Sequence, residues 1–313
     1  MKKSKRLREL FDSGKVFTIA GGSCAFHAKM AEAAGFECAY MSGGFTSSFL
    51  LGIPDAGIMT LTEMVENARR MARATSIPLL CDADQGYGNA LNVRHTVEAF
   101  IGAGVAGIHL EDQPVPKRCG FVSGKEVISL EEAAGKYRAA VDARDELDPD
   151  FVILARCDAR TAVGGSLEET IRRLKAYEEA GVDVLYFEAP QSMEELRAAR
   201  AAVSKPLMCT WHAIGTPELS EMEDLGIAAH FLPGLLNTPA MLAAWDFAHE
   251  FKARGMAALR EQEERYKDHP LANLRHFEFL GFDKLREWEE QYLPAEAVSK
   301  YEKSVGVYEP GRV

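Results

Sequence analysis

The chain has 313 residues, with 47 acidic against 36 basic side chains, a formal charge of −11 and 47% hydrophobic residues. That balance argues against nucleic acid or an anionic membrane as the main partner, while one local cation would still suffice for an anionic substrate. No run approaches the ~18–20 consecutive apolar residues of a membrane span, and the charged start MKKSKRLRELFDSGK lacks the apolar run of a secretory signal, so a cytoplasmic protein is expected.

In chain order, VFTIAG (16–21) reads as a strand, HAKMAEAAG (27–35) as a helix and CAYMSGG (38–44) as a strand entering a glycine turn. A helix over 61–75 has acids early and bases late, as the helix dipole favours. Strands are expected at 78–84, 106–112, 151–159, 182–189, 205–211 and 227–234, with helices at 93–104, 129–144, 166–181, 193–203 and 217–226 between them. The eight strand candidates, each leading to a helix, predict an α/β protein of the (β/α)8 barrel type. There is no GxGxxG after the first strand and no GxxxxGK[ST] anywhere, which counts against nucleotide-binding folds. From about Thr238 the pattern is helical without strands, so the expected organisation is a barrel over 1–240 and a C-terminal helical extension over 241–313.

In a barrel the working residues sit at the C-terminal ends of the strands. Here those ends read Tyr40-Met41-Ser42-Gly43-Gly44, Asp82-Ala83-Asp84, Glu111-Asp112-Gln113, Arg156-Cys157-Asp158 and Glu188. Any one such acid could be a helix cap or a solvated loop residue. Together they form a ring of negative charge that a cation must relieve, and hard oxygen donors suggest Mg²⁺ or Mn²⁺ rather than Zn²⁺. Arg156 is the one fixed cation expected on this rim. It can hold a carboxylate or phosphate, pair with Glu188 or Glu111, or do both. The Ser42–Gly44 turn offers backbone N–H groups to an anionic oxygen.

The six cysteines form no CxxC pair, and most are expected as buried small hydrophobes. Cys119 differs, because it follows Lys117-Arg118 in the long loop Gln113–Lys125. Those neighbours predict a lowered thiol pKa, and the loop's length and glycines suit a lid over the barrel mouth.

The series SGG, G-I-P-D, D-A-D-x-G-Y-G-N, G-I-H-L-E-D-Q, K-R-C-G, R-x-D-A and F-E-A, spread over roughly residues 15–260, strongly resembles the isocitrate lyase / phosphoenolpyruvate mutase superfamily. K-R-C-G after E-D-Q points to the lyase branch of methylisocitrate and dimethylmalate lyases, although a carboxyvinyl-carboxyphosphonate phosphorylmutase carries the same motif. The resemblance implies Mg²⁺-dependent carbon–carbon cleavage of a 2-hydroxy di- or tricarboxylate to a 2-oxo acid and a carboxylate. The alternative is a phosphonomutase, or an oxaloacetate-type hydrolase or decarboxylase. The resemblance further implies Asp84 as direct metal ligand, with Asp82, Glu111 and Asp55 reaching the metal through water. Tyr40 would take the substrate hydroxyl's proton, and Cys119 would protonate the carbon leaving group. Arg156, Ser42, Gly43, Gly44, Asp82, Gly120, Glu188, Thr210, His212 and Pro233 would bind substrate. A homotetramer with a helix exchanged between subunits is expected as well.

Two positions depart from the family pattern. Position 121 is Phe where the motif usually continues with His, and the seventh strand ends Met208-Cys209-Thr210-Trp211-His212 where an Asn is usual. Both predict a substrate with a bulkier or less charged substituent.

Overall fold

The computed structural model describes residues 1–301, 304–306 and 308. These fall into two compact units, 1–240 and 241–313. The first unit is built on eight parallel strands: β1 (Phe17–Gly22), β2 (Cys38–Met41), β3 (Leu79–Asp82), β4 (Gly107–Glu111), β5 (Val152–Cys157), β6 (Val184–Phe187), β7 (Leu207–Cys209) and β8 (Ala229–Leu232). They pair in the order β7-β6-β5-β4-β3-β2-β1-β8, and a bridge between Leu207 and Ile227 nearly closes the ring. This is the expected (β/α)8 barrel.

Helices α1 (Lys3–Asp12), α2 (Ala25–Ala33), α3 (Gly43–Thr46), α4 (Leu61–Ala74), α5 (Ala90–Gly102), α6 (Leu130–Leu147), α7 (Leu167–Glu179), α8 (Met193–Ala202) and α9 (Leu219–Asp224) belong to this unit. Local chemistry sets several starts. α6, α7 and α8 each begin after a serine, Ser129, Ser166 and Ser192, whose hydroxyl accepts the N–H of a glutamate three residues on. Thr60 and Glu63 form a reciprocal capping box on α4. Each such cap is worth about 0.5–2 kcal/mol. The same effect moves the start of α5 earlier than the periodicity predicts, because Asn89 caps it through the Leu91 N–H.

α1 has no counterpart in the sequence reading. In the highly charged KSKRLRELFD the apolar face is Leu7, Leu10 and Phe11, of which Leu7 and Phe11, four residues apart, are the buried pair. Those two side chains are buried together with Phe17, Ile19, Leu80, Val152 and Met208 inside the barrel. Phe11 meets Phe17 edge-on at 5.1 Å between ring centres. Arg8 donates to the Phe151 carbonyl at 3.0 Å and pairs with Asp183 at 2.8 Å. α1 therefore plugs the N-terminal end of the barrel and leaves the opposite end as the mouth.

In the second unit α10 (Asn237–Arg254, which starts in the first), α11 (Met256–Tyr266), α12 (His276–Leu280), α13 (Phe282–Tyr292) and α14 (Ala295–Val298) are helical. Among the described residues no helix is long and apolar enough to cross a membrane.

Candidate active site

The mouth holds a cavity of about 300 Å³. Tyr40, Ser42, Gly44, Asp55, Asp82 and Cys119 line one part of it, and Gly120, Arg156, Glu188, Thr210 and Pro233 the rest. Sequence reading missed Phe45, Ser48, Tyr186 and Phe231, which line it too. Phe45 and Ser48 lie in a short helical stretch, α3 and the π-turn Ser47–Leu51, where a plain glycine turn is expected.

Four expected residues, Asp84, Glu111, His212 and Gly43, sit outside the cavity lining. Asp84 and Glu111 are buried beneath the mouth, 4% and 2% exposed. His212 lies against the Phe121 ring, 4.9 Å between centres, in a separate cleft beside the lid. It is not a wall of the main cavity. Gly43 also departs from its expected role. Its N–H donates to Asp82 Oδ2 at 3.2 Å, so that amide is spent on a protein carboxylate. A Cβ at Gly43 would lie 2.5 Å from the same oxygen, which explains the glycine.

The acids are arranged around Lys117, which sequence reading assigned only to the thiol. Its Nζ lies 2.6 Å from Asp55 Oδ1 and 2.9 Å from Asp84 Oδ1. Arg156 is therefore not the sole cation of the mouth. Asp84 occupies a left-handed backbone conformation, φ 46°, one that Asp tolerates better than most residues. Its N–H donates to Asp82 Oδ1 at 3.0 Å. Burial raises Asp82, but His109, Lys117 and Arg156 outweigh it and hold this carboxyl below its usual range. Burial pushes Asp84 up to about 6 despite Lys117, helped by Asp82 and Asp55.

Glu111 is the sharper case. Both its carboxylate oxygens are buried without a hydrogen-bond partner, and Arg156 Nη1 approaches only to 3.5 Å. Burial raises its pKa well above the carboxylate range. A buried, unsatisfied acid is costly unless a ligand completes it. The donors here, Asp55, Asp82, Asp84 and Glu111, are all carboxylate oxygens, which fits Mg²⁺ or Mn²⁺ better than Zn²⁺. Among the described residues no three ligating groups stand close enough to form a ready cage. The set thus suits an ion that keeps most of its own waters, as Mg²⁺ does.

Arg156 is held by Asp158, with Nε 2.8 Å and Nη2 3.0 Å from its two oxygens. Glu188 Oε2 lies 3.8 Å from Arg156 Nε. The partner expected from sequence was Glu111 or Glu188; the tight one is Asp158, because two residues along the chain it can meet the guanidinium fork edge-on.

The loop 113–125 covers the mouth as a lid. Gln113 clamps it by donating to the Arg118 carbonyl at 3.0 Å and accepting the Arg118 N–H at 2.9 Å. The Cys119 N–H donates to the Asp55 carbonyl at 3.2 Å. Gly57, with φ 65°, lets the lid backbone pass close, since a Cβ there would meet Lys117 N at 2.9 Å. Cys119 corrects the sequence expectation. Burial raises its thiol pKa rather than lowering it, with Asp55 adding to the effect. Lys117, paired with Asp55 and Asp84, still pulls the thiol down, as Arg156 does, but burial outweighs both.

Tyr40 reaches the cavity, and its hydroxyl lies 2.7 Å from His109 Nε2. Burial, with Asp82, keeps the phenol protonated far above its usual range, and burial lowers His109 to about 4. Tyr40 at rest is therefore a donor. A polar His within the apolar run of β4 was the signal that could have revealed His109.

The sequence matches the family described as phosphoenolpyruvate phosphomutase over residues 7–251. The chain belongs to the phosphoenolpyruvate mutase / isocitrate lyase superfamily. The 2,3-dimethylmalate lyase of Eubacterium barkeri is 36% identical over 299 residues, 93% of this chain and 99% of that one. An oxaloacetate decarboxylase of Rhodopseudomonas palustris (strain BisB18) is 43% identical over 198 residues, 61% of this chain and 67% of that one. A crystal structure of 2,3-dimethylmalate lyase superposes with a TM-score of 0.85 at 29% identity, covering 98% of this chain and 99% of that one. Members of this superfamily are enzymes acting on small carboxylates.

Proposed function

We propose that this protein is a Mg²⁺-dependent lyase that cleaves the C2–C3 bond of an alkyl-substituted 2-hydroxy dicarboxylate. The observation that carries this reading is a protonated thiol, Cys119, on a lid over a cavity with one lining cation, Arg156, and an apolar wall of Phe45, Phe121, Phe231 and Pro233. One guanidinium suits one free carboxylate, so a malate-type diacid fits better than a tricarboxylate of the isocitrate type.

Asp84, Asp82, Glu111 and Asp55 would hold the metal, whose charge would acidify the substrate hydroxyl and anchor the carboxylate beside it. Tyr40 can accept the hydroxyl proton only by passing its own to His109. As C2 becomes the carbonyl of a 2-oxo acid, the C2–C3 electron pair moves onto the departing carboxylate as an enediolate. Cys119 then donates its proton to C3, completing the second product. A raised thiol pKa serves this role, because the acid must keep its proton until the carbon develops charge. Arg156, aimed by Asp158, would bind the substrate's second carboxylate, with Ser42, Thr210 and Glu188 beside it.

The second reading, decarboxylation or hydrolysis of oxaloacetate, is favoured by the decarboxylase relative. The two differ in what they consume. Incubation with Mg²⁺ and separate alkylmalates, isocitrate, 2-methylisocitrate or oxaloacetate, with hydrazone trapping of 2-oxo acids, decides between them. A new 2-oxo acid from alkylmalates is expected. Consumption of oxaloacetate alone would replace the lyase reading with the second one. The homotetramer belongs to the same proposal: Leu242, Trp245 and Trp288 are exposed apolar side chains of the second unit, and light scattering reads the assembly directly.

A further inference from the structure

Lys125 ends the lid, and the chemistry above leaves it without a role. Its side chain is 1% exposed, an unusual place for an ammonium. Nζ donates to the Gly120 carbonyl at 2.9 Å and to Asp158 Oδ1 at 2.7 Å. Asp158 is the carboxylate that aims Arg156. It is itself a fixed post. Its N–H donates to Asp112 Oδ1 at 2.8 Å, and the other Asp112 oxygen accepts Tyr177 Oη at 2.6 Å and Arg173 Nη1 at 3.1 Å. The Lys125 backbone is anchored separately, since its carbonyl accepts the Val163 N–H at 2.9 Å.

The Gly120 carbonyl is therefore the one contact of this ammonium that belongs to the lid tip. Gly120 adjoins Cys119 and fits tightly; a Cβ there would lie 2.3 Å from Arg156 Nη2 and 2.4 Å from Glu188 Oε1. A buried ammonium needs its hydrogen-bond partners. Lifting the tip removes one of two, so the lysine favours the seated lid.

We propose that Lys125 is a positioning residue that latches the lid tip carrying Cys119 onto the carboxylate that aims Arg156. The acid on the lid and the cation on the barrel are then set in register through one ammonium, which holds the Gly120 carbonyl on one side and Asp158, with Arg156 behind it, on the other. This latch does not depend on which diacid the site accepts.

Alkylation by iodoacetamide on the full-length protein without substrate, resolved per cysteine by mass spectrometry, tests it. Cys24, half-buried and outside the lid, serves as internal reference. Lys125→Gln should raise the Cys119 rate about ten-fold or more relative to Cys24, the size expected when a charge-assisted hydrogen bond holding a local closure is lost. Lys125→Arg should bring the ratio back towards wild type. An unchanged ratio in a folded Lys125→Gln, or equal acceleration of both cysteines, would overturn the latch. If Lys125→Gln does not fold, sparing acetylation of the wild-type protein decides. Protection of Lys125 relative to the exposed Lys5 supports the latch, and equal labelling overturns it. Because no turnover is read, failure here is distinguishable from failure of the lyase reading.

Discussion

The two ends of the barrel treat buried charge in opposite ways. At the N-terminal end, Asp183 accepts Arg8 at 2.8 Å, Arg144 at 2.8 Å and the Ile153 N–H at 2.9 Å. At the mouth, Glu111 has no hydrogen-bond partner for either oxygen. Both acids end or border a strand, and both present a carboxyl group. What differs is satisfaction. A carboxylate whose acceptors are filled by its own protein holds the fold together, while one left unfilled is kept for something that binds. The apolar plug of Leu7 and Phe11 belongs to the first kind of end, and the lid with its buried lysines to the second.

That contrast predicts a separation of stability from activity. The largest effect is expected at the acid cluster: Asp84→Ala should abolish turnover and its response to added Mg²⁺ while thermal melting stays cooperative. Full activity in excess chelator would remove the metal from the mouth altogether. Next comes Cys119→Ser, which keeps size but holds its proton too tightly. It should lower kcat by roughly 10²–10⁴-fold with little change in KM or melting temperature. Near-wild-type kcat would favour the oxaloacetate reading.

The opposite end should respond the other way. Leu7→Ala should cost about 2–5 kcal/mol in denaturant unfolding, the range for emptying a packed core site, with kcat of the remaining folded enzyme nearly unchanged. A large loss of kcat at unchanged stability would break the division between the two ends. The smallest effect is expected at Phe121, which is 54% exposed yet forms part of the cavity wall. Phe121→His should reduce the preference for alkyl-substituted malates by about 1 kcal/mol in relative kcat/KM, on the scale of one methylene. His212→Ala should change binding less than a wall residue would, since His212 touches the outer side of Phe121.

The sequence by itself determined the eight strand–helix units, the acids at the strand ends and the lid with its cysteine. These are local signals. Apolar runs, serine caps and motif spacing act over a few residues, and the resemblance to a family rests on such motifs. The tertiary structure decided what each charge is for. KRC looked like a basic setting for a thiol, yet Lys117 crosses to Asp55 and Asp84, and burial then raises Cys119. Asp158 stood among the strand-end acids without a role, and folding placed Arg156 and Lys125 on its two oxygens. α1 escaped detection because its few apolar residues count only where they meet the barrel's interior. Charge pairing and desolvation depend on distance and burial, and residues 61 positions apart, such as Asp112 and Arg173, become partners only when the barrel closes.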